Sequence, residues 1–174
     1  LDNNIYLFSF LTGTTIQQFY AHDDTITALC FKKVRKFDWQ FQDKLISCSI
    51  DQTIKLWSLD KPDSFKNADK TLYDHEEEII AAVVCPQYDS NLLATADVDG
   101  QIIIRDLTEP ESPLCHIKPD LEYEPPECVS ILFNQQSSLQ PDSKTCDIFI
   151  AINNQLFYYN LDGEELKTSG FSAN

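Results

Sequence analysis

Polar and apolar residues alternate strictly along residues 53–58, where Thr53, Lys55 and Trp57 interleave with Ile54, Leu56 and Ser58. A period of two with β-branched residues predicts a β-strand, and the preceding IDQT predicts the tight turn that feeds it from the strand KLISCS. Asp51 is thereby placed at a hairpin tip, close to the end of that strand.

The same pattern recurs. TADVDGQIIIRDL sets Thr95, Asp99 and Arg105 in register with Ser47, Asp51 and Trp57, and the opening LDNNIYLFSF gives Asp2 and Phe8 the last two of those places. Asp2, Asp51 and Asp99 follow one another at intervals of 49 and 48 residues. Upstream of two copies a histidine ends a short polar segment before an apolar strand: His22 in YAHDDTITALCF and His75 in LYDHEEEIIAAVVC. A period a little above roughly 40–45 residues, with strands as the repeated unit, predicts a propeller rather than a solenoid of helices.

These residues resemble the WD40 family. A His near the start, Ser or Thr on the second strand, Asp in the following turn and Trp on the third strand are its pattern, met in full by His22, Ser47, Asp51 and Trp57. IKLW is followed by Ser58 where the family has Asp. The second set, His75, Thr95 and Asp99, has Arg105 for Trp, with Asp106 keeping the second half of the dipeptide. From Lys118 onward the motif erodes: Asn153 stands where Asp would and Tyr159 where Trp would.

The resemblance implies an all-β, WD40-type β-propeller, here partial. The expected organisation is the outer strands of an incomplete blade at 1–20, blades at 21–73 and 74–117, and a degenerate blade at 118–174. That is about three and a half blades of a ring of about seven. The chain starts at a hairpin tip and contains no Met, so it is expected to be a piece of a longer polypeptide.

The resemblance also implies a role for the tetrad. His22 donates one ring proton to Asp51 and bonds Ser47 through its other nitrogen, and Ser47 reaches the indole N–H of Trp57. Each buried polar group then has a partner. A catalytic Ser-His-Asp reading needs a solvent-open nucleophile and oxyanion donors, and a serine pinned inside a blade offers neither. No enzyme is expected.

A narrower likeness covers DNNIYLFSFLTGTTIQQFYAHDDTITALCF. It resembles the WD40 region following the BEACH domain in proteins of the neutral sphingomyelinase activation factor type, which has an Asp-Asn-Asn strand, a Gly-Thr or Gly-Arg turn and a His-Asp-Asp loop in that order. This implies the C-terminal part of a large cytoplasmic scaffold in membrane trafficking or receptor-linked signalling. The alternatives are a structural shell subunit of a coat-like assembly and, in a different class, a propeller enzyme working in the central channel.

Charge narrows the partners. With 13 basic and 28 acidic residues and a formal charge of −15, the chain lacks the phosphate contacts that supply most nucleic-acid affinity. No apolar run reaches the roughly 18 residues of a membrane helix, so membrane association is expected only peripherally, through the parent protein. In a WD40 blade the His and Asp loops share one end of the ring, and there HDD, DHEEE and KPDLEYEPPE are acidic. An acidic surface serves solubility; it also fits a basic peptide or domain docking near Asp24, Glu76, Glu77 and Glu78.

The opposite end receives the basic-aromatic insert of Lys32, Lys33, Arg35, Lys36, Phe37, Trp39 and Phe41. It reads either as an extra strand or plug under the blade, or as an exposed anchor for a partner or anionic lipid head groups, with Trp39 at its centre. Cys30, Cys48, Cys85, Cys115, Cys128 and Cys146 are far apart with no CxxC, which favours reduced core thiols over disulfides or zinc. The three histidines lack ligand spacing and four glycines leave no phosphate cradle, so no metal or cofactor is expected.

Overall fold

Runs of four to six residues with period-two patterning, broken by turn residues, leave the chain nothing but strands to form. In the computed structural model, residues 2–37, 40–59, 65–87, 90–120, 129–133, 147–153, 155–160, 163 and 165–170 are described, with backbone alone at 36–37 and 166–170. A hairpin, β1 (Asn4–Phe8) and β2 (Thr15–Tyr20), comes first. The first four-stranded sheet is β3 (Ile26–Phe37), β4 (Gln40–Ser49), β5 (Ile54–Ser58) and β6 (Lys70–Leu72). The second is β7 (Ile79–Val84), β8 (Leu92–Asp97), β9 (Ile102–Asp106) and β10 (Pro113–Ile117). The third is β11 (Val129–Phe133), β12 (Ile148–Ile152), β13 (Gln155–Tyr159) and β14 (Glu165–Gly170). Within each sheet the strands pair antiparallel in chain order. The fold is all-β and of the WD40 type, part of a β-propeller.

Register decides which side chains meet across the seams. Leu45 lies opposite Trp57 and Ile46 opposite Leu56, so the two faces of the first sheet carry different sets. One face puts Val34, Ile46, Cys48, Ile54 and Leu56 against Ile79, Leu93 and Leu107 of the second sheet. The other buries Trp57 against Ile5 and Phe19 of the β1–β2 hairpin, with the Phe19 ring 4.8 Å from the indole. The far face of the second sheet, including Ala94, Ile102 and Ile104, meets Phe133, Ile148, Ile150 and Phe157 of the third. Each fully buried Ile, Leu or Phe is worth about 1.5–3 kcal/mol of transfer free energy, so these layers carry most of the stability.

The seam between the first and second sheets is also laced with polar bonds. Thr27 Oγ1 donates to the Ile79 carbonyl at 2.7 Å, and Lys32 Nζ donates to the carbonyls of Cys85 and Gln87, each at 2.6 Å. The Asn91 side chain accepts from the Arg35 N–H and donates to the Arg35 carbonyl, both at 3.0 Å, as a neighbouring strand would. Two sequence expectations change here. The basic insert is a prolongation of β3 and β4, paired as far as Phe37 and Gln40, rather than a separate strand. Lys32 is buried, because its stem crosses the seam to reach the Cys85 and Gln87 carbonyls. Trp39 lies outside the described residues. Cys30, Cys48, Cys85 and Cys115 are free thiols, three of them buried; Cys128 and Cys146 fall outside the described residues.

Candidate functional site

In the first blade His22 comes from the loop after β2 and is fully buried. Its Nδ1 is 2.9 Å from Asp51 Oδ2 and its Nε2 is 2.7 Å from Ser47 Oγ. The Trp57 indole donates to the same Ser47 oxygen at 3.0 Å. An indole can only donate and a carboxylate can only accept. The chain of bonds therefore runs Trp57 N–H to Ser47 Oγ, Ser47 O–H to Nε2 and Nδ1–H to Asp51, with a neutral imidazole. Asp51 also accepts from the backbone N–H groups of Asp23 and Thr53 and from the Thr53 hydroxyl. Burial holds the His22 pKa below its ordinary value and outweighs the pull of Asp51. For Asp51, burial opposes ionisation, but the Thr53 hydroxyl, the Asp23 N–H and the nearby His22 prevail, leaving its pKa lowered.

The second blade repeats the two bonds of the histidine with other residues. His75 Nδ1 lies 2.9 Å from Asp97 Oδ2, and Nε2 lies 2.8 Å from Thr95 Oγ1. Asp99, the residue in register with Asp51, is exposed and is not the histidine's partner. The reason is burial: Asp97, the last residue of β8, is almost wholly buried, whereas Asp99 lies in the turn beyond the strand. The other Asp97 oxygen accepts from the N–H groups of Asp99 and Gln101, filling the role that the Asp51 oxygen has toward Thr53. Gly100, at φ 78°, provides the left-handed residue of that turn, whereas Gln52, at φ 67°, does so in the first blade.

Arg105 occupies the Trp57 place and is fully buried. It does not turn to Thr95. Its Nη1 lies 2.9 Å from Asp74 Oδ2, in the loop leaving the first blade, and 2.7 Å from the Pro110 carbonyl that accepts from it. Sequence reading recognised the missing indole; the ion pair with Asp74 it did not, because the partner lies 31 residues away in the loop between the first and second sheets.

The histidine loops of the two blades stand side by side. A cleft of about 270 Å³ between them is lined by Asp23, Asp51, Gln52, Lys55, Tyr73 and His75. Beside it Asp24, Glu76, Glu77 and Glu78 are all exposed, as is Asp120 where the second sheet leads toward the third. Residues 121–128 lie outside the described part. Lys55 is the basic group of the cleft, and its Nζ donates to the Ala21 carbonyl at 2.6 Å. At the opposite end a groove of about 600 Å³ is lined by Val34, Lys44, Leu56, Asp69, Leu107 and Pro110, among others.

The His22, Ser47 and Asp51 side chains have the connectivity of a hydrolytic triad, yet the Ser47 hydroxyl is fully buried and bonded on both sides. An incoming carbonyl cannot reach it. Among the described residues no three His, Cys, Asp or Glu side chains gather as a metal site, and no helix is long and apolar enough to cross a membrane.

Residues 13–58, from the β1–β2 turn through β5, match the family described as WD domain, G-beta repeat. That stretch is similar to one WD repeat. Its span contains the whole first tetrad. The chain is also similar to fungal proteins named mitochondrial division protein 1. That of Aspergillus terreus is 28% identical over 103 residues, which cover 59% of this chain and 14% of that protein. That of Neosartorya fischeri is 28% identical over 99 residues, 57% of this chain and 13% of that protein. That of Aspergillus niger is 29% identical over 99 residues. The chain thus matches only a small part of the length of these relatives. WD40 repeats generally serve protein–protein interaction and are typically noncatalytic scaffolds.

Proposed function

We propose that this chain is a noncatalytic scaffold whose acidic, histidine-bearing face docks a basic peptide or domain. The observation that carries the reading is the placement of exposed Asp24, Glu76, Glu77 and Glu78 on adjacent loops beside one cleft. Carboxylates of one sign at a cleft mouth steer a positive partner chiefly through association rate. The buried Ser47 supports the absence of catalysis. The likeness of the first thirty or so residues to BEACH-type WD40 regions supports a cytoplasmic setting in membrane trafficking or signalling. The name of the fungal relatives, mitochondrial division protein 1, supports an organelle-linked role for the parent polypeptide.

The test begins with affinity capture on the full-length parent, followed by association kinetics of the recovered partner. Changing Glu76, Glu77 and Glu78 together to Lys is expected to slow association, and so is raising salt to 1 M, where the Debye length is about 3 Å. A partner whose kinetics ignore both would leave the acidic face as a solubility feature. A BEACH motif in the parent would favour the trafficking role; a coiled coil or F-box-like helix in its place would oppose it.

A further inference from the structure

From Asn3 to His22 the chain has no Asp, Glu, Lys or Arg, although it carries 13 basic and 28 acidic residues in all. The β1–β2 hairpin lies in that stretch, and at its turn Phe10 is 100% and Leu11 94% exposed. Two adjacent large apolar side chains standing wholly in water forgo their transfer free energy. The turn that presents them is closed on itself. The Ser9 N–H donates to the Thr14 carbonyl at 2.9 Å and the Gly13 N–H to the Ser9 carbonyl at 2.8 Å. The Thr12 N–H donates to Ser9 Oγ at 3.3 Å, and the Thr12 and Thr14 hydroxyls lie 2.7 Å apart. Gly13, at φ 67°, supplies the left-handed residue that reverses the chain. Internal pairing of this kind is the condition for carrying a turn out of water.

The turn has a basic neighbour. The Asn3 carbonyl, just before β1, accepts from the N–H groups of Ala21 and His22 at 3.0 and 3.4 Å, so β1 starts beside the histidine loop and runs away from it. β3 leaves the same loop in the same sense. The turns that follow β1 and β3 therefore share the end of the molecule opposite the acidic histidine loops. At that end residues 32–44 hold five basic residues and two acidic ones, and Lys33 is exposed.

We propose that this end docks on an anionic lipid bilayer, with Phe10 and Leu11 dipping into the boundary between head groups and acyl chains and the basic residues of the β3–β4 hairpin lying against the lipid phosphates. A fluid boundary closes around a protruding apolar tip, whereas the anchors of a protein interface sit in pockets of matching shape. Charge complementarity supports the anionic surface: the basic hairpin faces it and the exposed Glu76, Glu77 and Glu78 point to the other end. The chain itself would then supply a membrane contact, at a site apart from the insert around Trp39. Because the acidic face lies at the opposite end, this docking stands or falls independently of a basic partner there.

The test uses the full-length polypeptide with Phe10→Trp and vesicles of equimolar phosphatidylcholine and phosphatidylserine. Phe10 is wholly exposed, so the exchange leaves folding intact. The emission gained with the new indole is expected to shift to the blue on vesicles and to be quenched by lipids brominated on the acyl chain. The double variant Phe10→Ser, Leu11→Ser is expected to lose about tenfold or more in vesicle affinity, with its thermal midpoint unchanged. Insertion is expected to weaken on phosphatidylcholine alone. An unquenched indole, undiminished binding by the double variant, or equal insertion without phosphatidylserine would each overturn the proposal. So would capture of a protein that buries Phe10 and Leu11 in place of the lipid.

Discussion

The first and second blades fasten a histidine loop to a sheet by the same bonds, and they diverge where the third strand meets the neighbouring layer. In the first, Trp57 closes the network on Ser47 and packs its indole against the tilted Phe19 ring, so one side chain satisfies a hydroxyl and fills a seam. In the second, Arg105 leaves the Thr95 hydroxyl to His75 and the Ile103 carbonyl and reaches across the seam to Asp74. One blade is locked by a polar chain ending in an aromatic, the other by a buried ion pair between a sheet and the loop leading into it. The loop-to-sheet fastener is thus separable from the seam filler. Position 57 or 105 can change its chemistry wholesale while the His–Asp bond stays at 2.9 Å.

The largest expected effect breaks the hub that only the first blade has. Ser47→Ala removes the sole oxygen between His22 and Trp57 and leaves two buried groups without partners, at about 1–3 kcal/mol each. Thr95→Val, equally conservative in shape, strands the His75 Nε2 and removes only a long 3.4 Å bond to the Ile103 carbonyl, so its loss is expected to be smaller. Urea unfolding of both variants measures the ratio. Equal losses would mean that the indole N–H contributes nothing to the first tetrad.

Next comes the ion pair. Asp74→Ala leaves the Arg105 guanidinium buried without its counter-charge, and removing one partner of a buried pair costs about 3–5 kcal/mol, less here because Asp74 is partly exposed. Arg105→Met is expected to cost distinctly less, since the Asp74 carboxylate can turn to water and the methionine fills the seam. The order of the two denaturation midpoints is the readout. A larger loss for Arg105→Met would show that packing, rather than charge, dominates the second seam.

Much of this arrangement was legible in the residues. The strands follow from period-two runs, and the bonding of the first tetrad from the resemblance of His22, Ser47, Asp51 and Trp57 to the WD40 pattern. What sequence counting misplaced was the second carboxylate. TADVDG holds two aspartates of the same parity, and register alone selects Asp99, whereas the histidine takes Asp97 because only that one is buried beneath the turn. Lys32 was read only as part of a basic-aromatic cluster, and its acceptors were not foreseen, for a related reason. Its acceptors, the carbonyls of Cys85 and Gln87, are backbone groups with no residue-type signature and lie more than fifty residues away. The Asp74–Arg105 pair is likewise a contact between a loop and a sheet, and periodicity within one strand carries no information about it.

A pH titration sharpens the comparison through His22. Its folded pKa lies below the ordinary value because burial disfavours the imidazolium. The unfolded chain therefore binds the proton more readily, and the contribution is fully present above the unfolded pKa of about 6.5 and is lost as pH falls through the folded value. Asp51, also lowered, adds a second loss at more acidic pH, below the ordinary carboxylate pKa of about 3.9. Unfolding free energy is thus expected to decline from pH 7 toward pH 5, with a shallower slope in His22→Gln than in the wild type. An unchanged slope in that variant would move the acid sensitivity to other groups.

The smallest effect lies in the turns. Gln52 holds φ 67° at the tip of the first tetrad's hairpin, where the second blade uses Gly100 at φ 78°. A side chain in the left-handed region crowds the following carbonyl at roughly 1–2 kcal/mol per residue, and glycine escapes that cost while losing more backbone freedom on folding. Gln52 is exposed and lines the cleft, and its amide N–H reaches the Ser49 carbonyl at 3.3 Å, a bond glycine retains. Gln52→Gly is therefore expected to stabilise the protein by about 0.5–1 kcal/mol, raising the thermal midpoint by a few degrees. The reverse change, Gly100→Gln, is expected to destabilise by more, because Gly100 is buried where Gln52 is exposed. If Gln52→Gly lowers the midpoint instead, the Gln52 side chain makes contacts in the cleft that outweigh its backbone strain, and the two turns differ by more than the choice of left-handed residue.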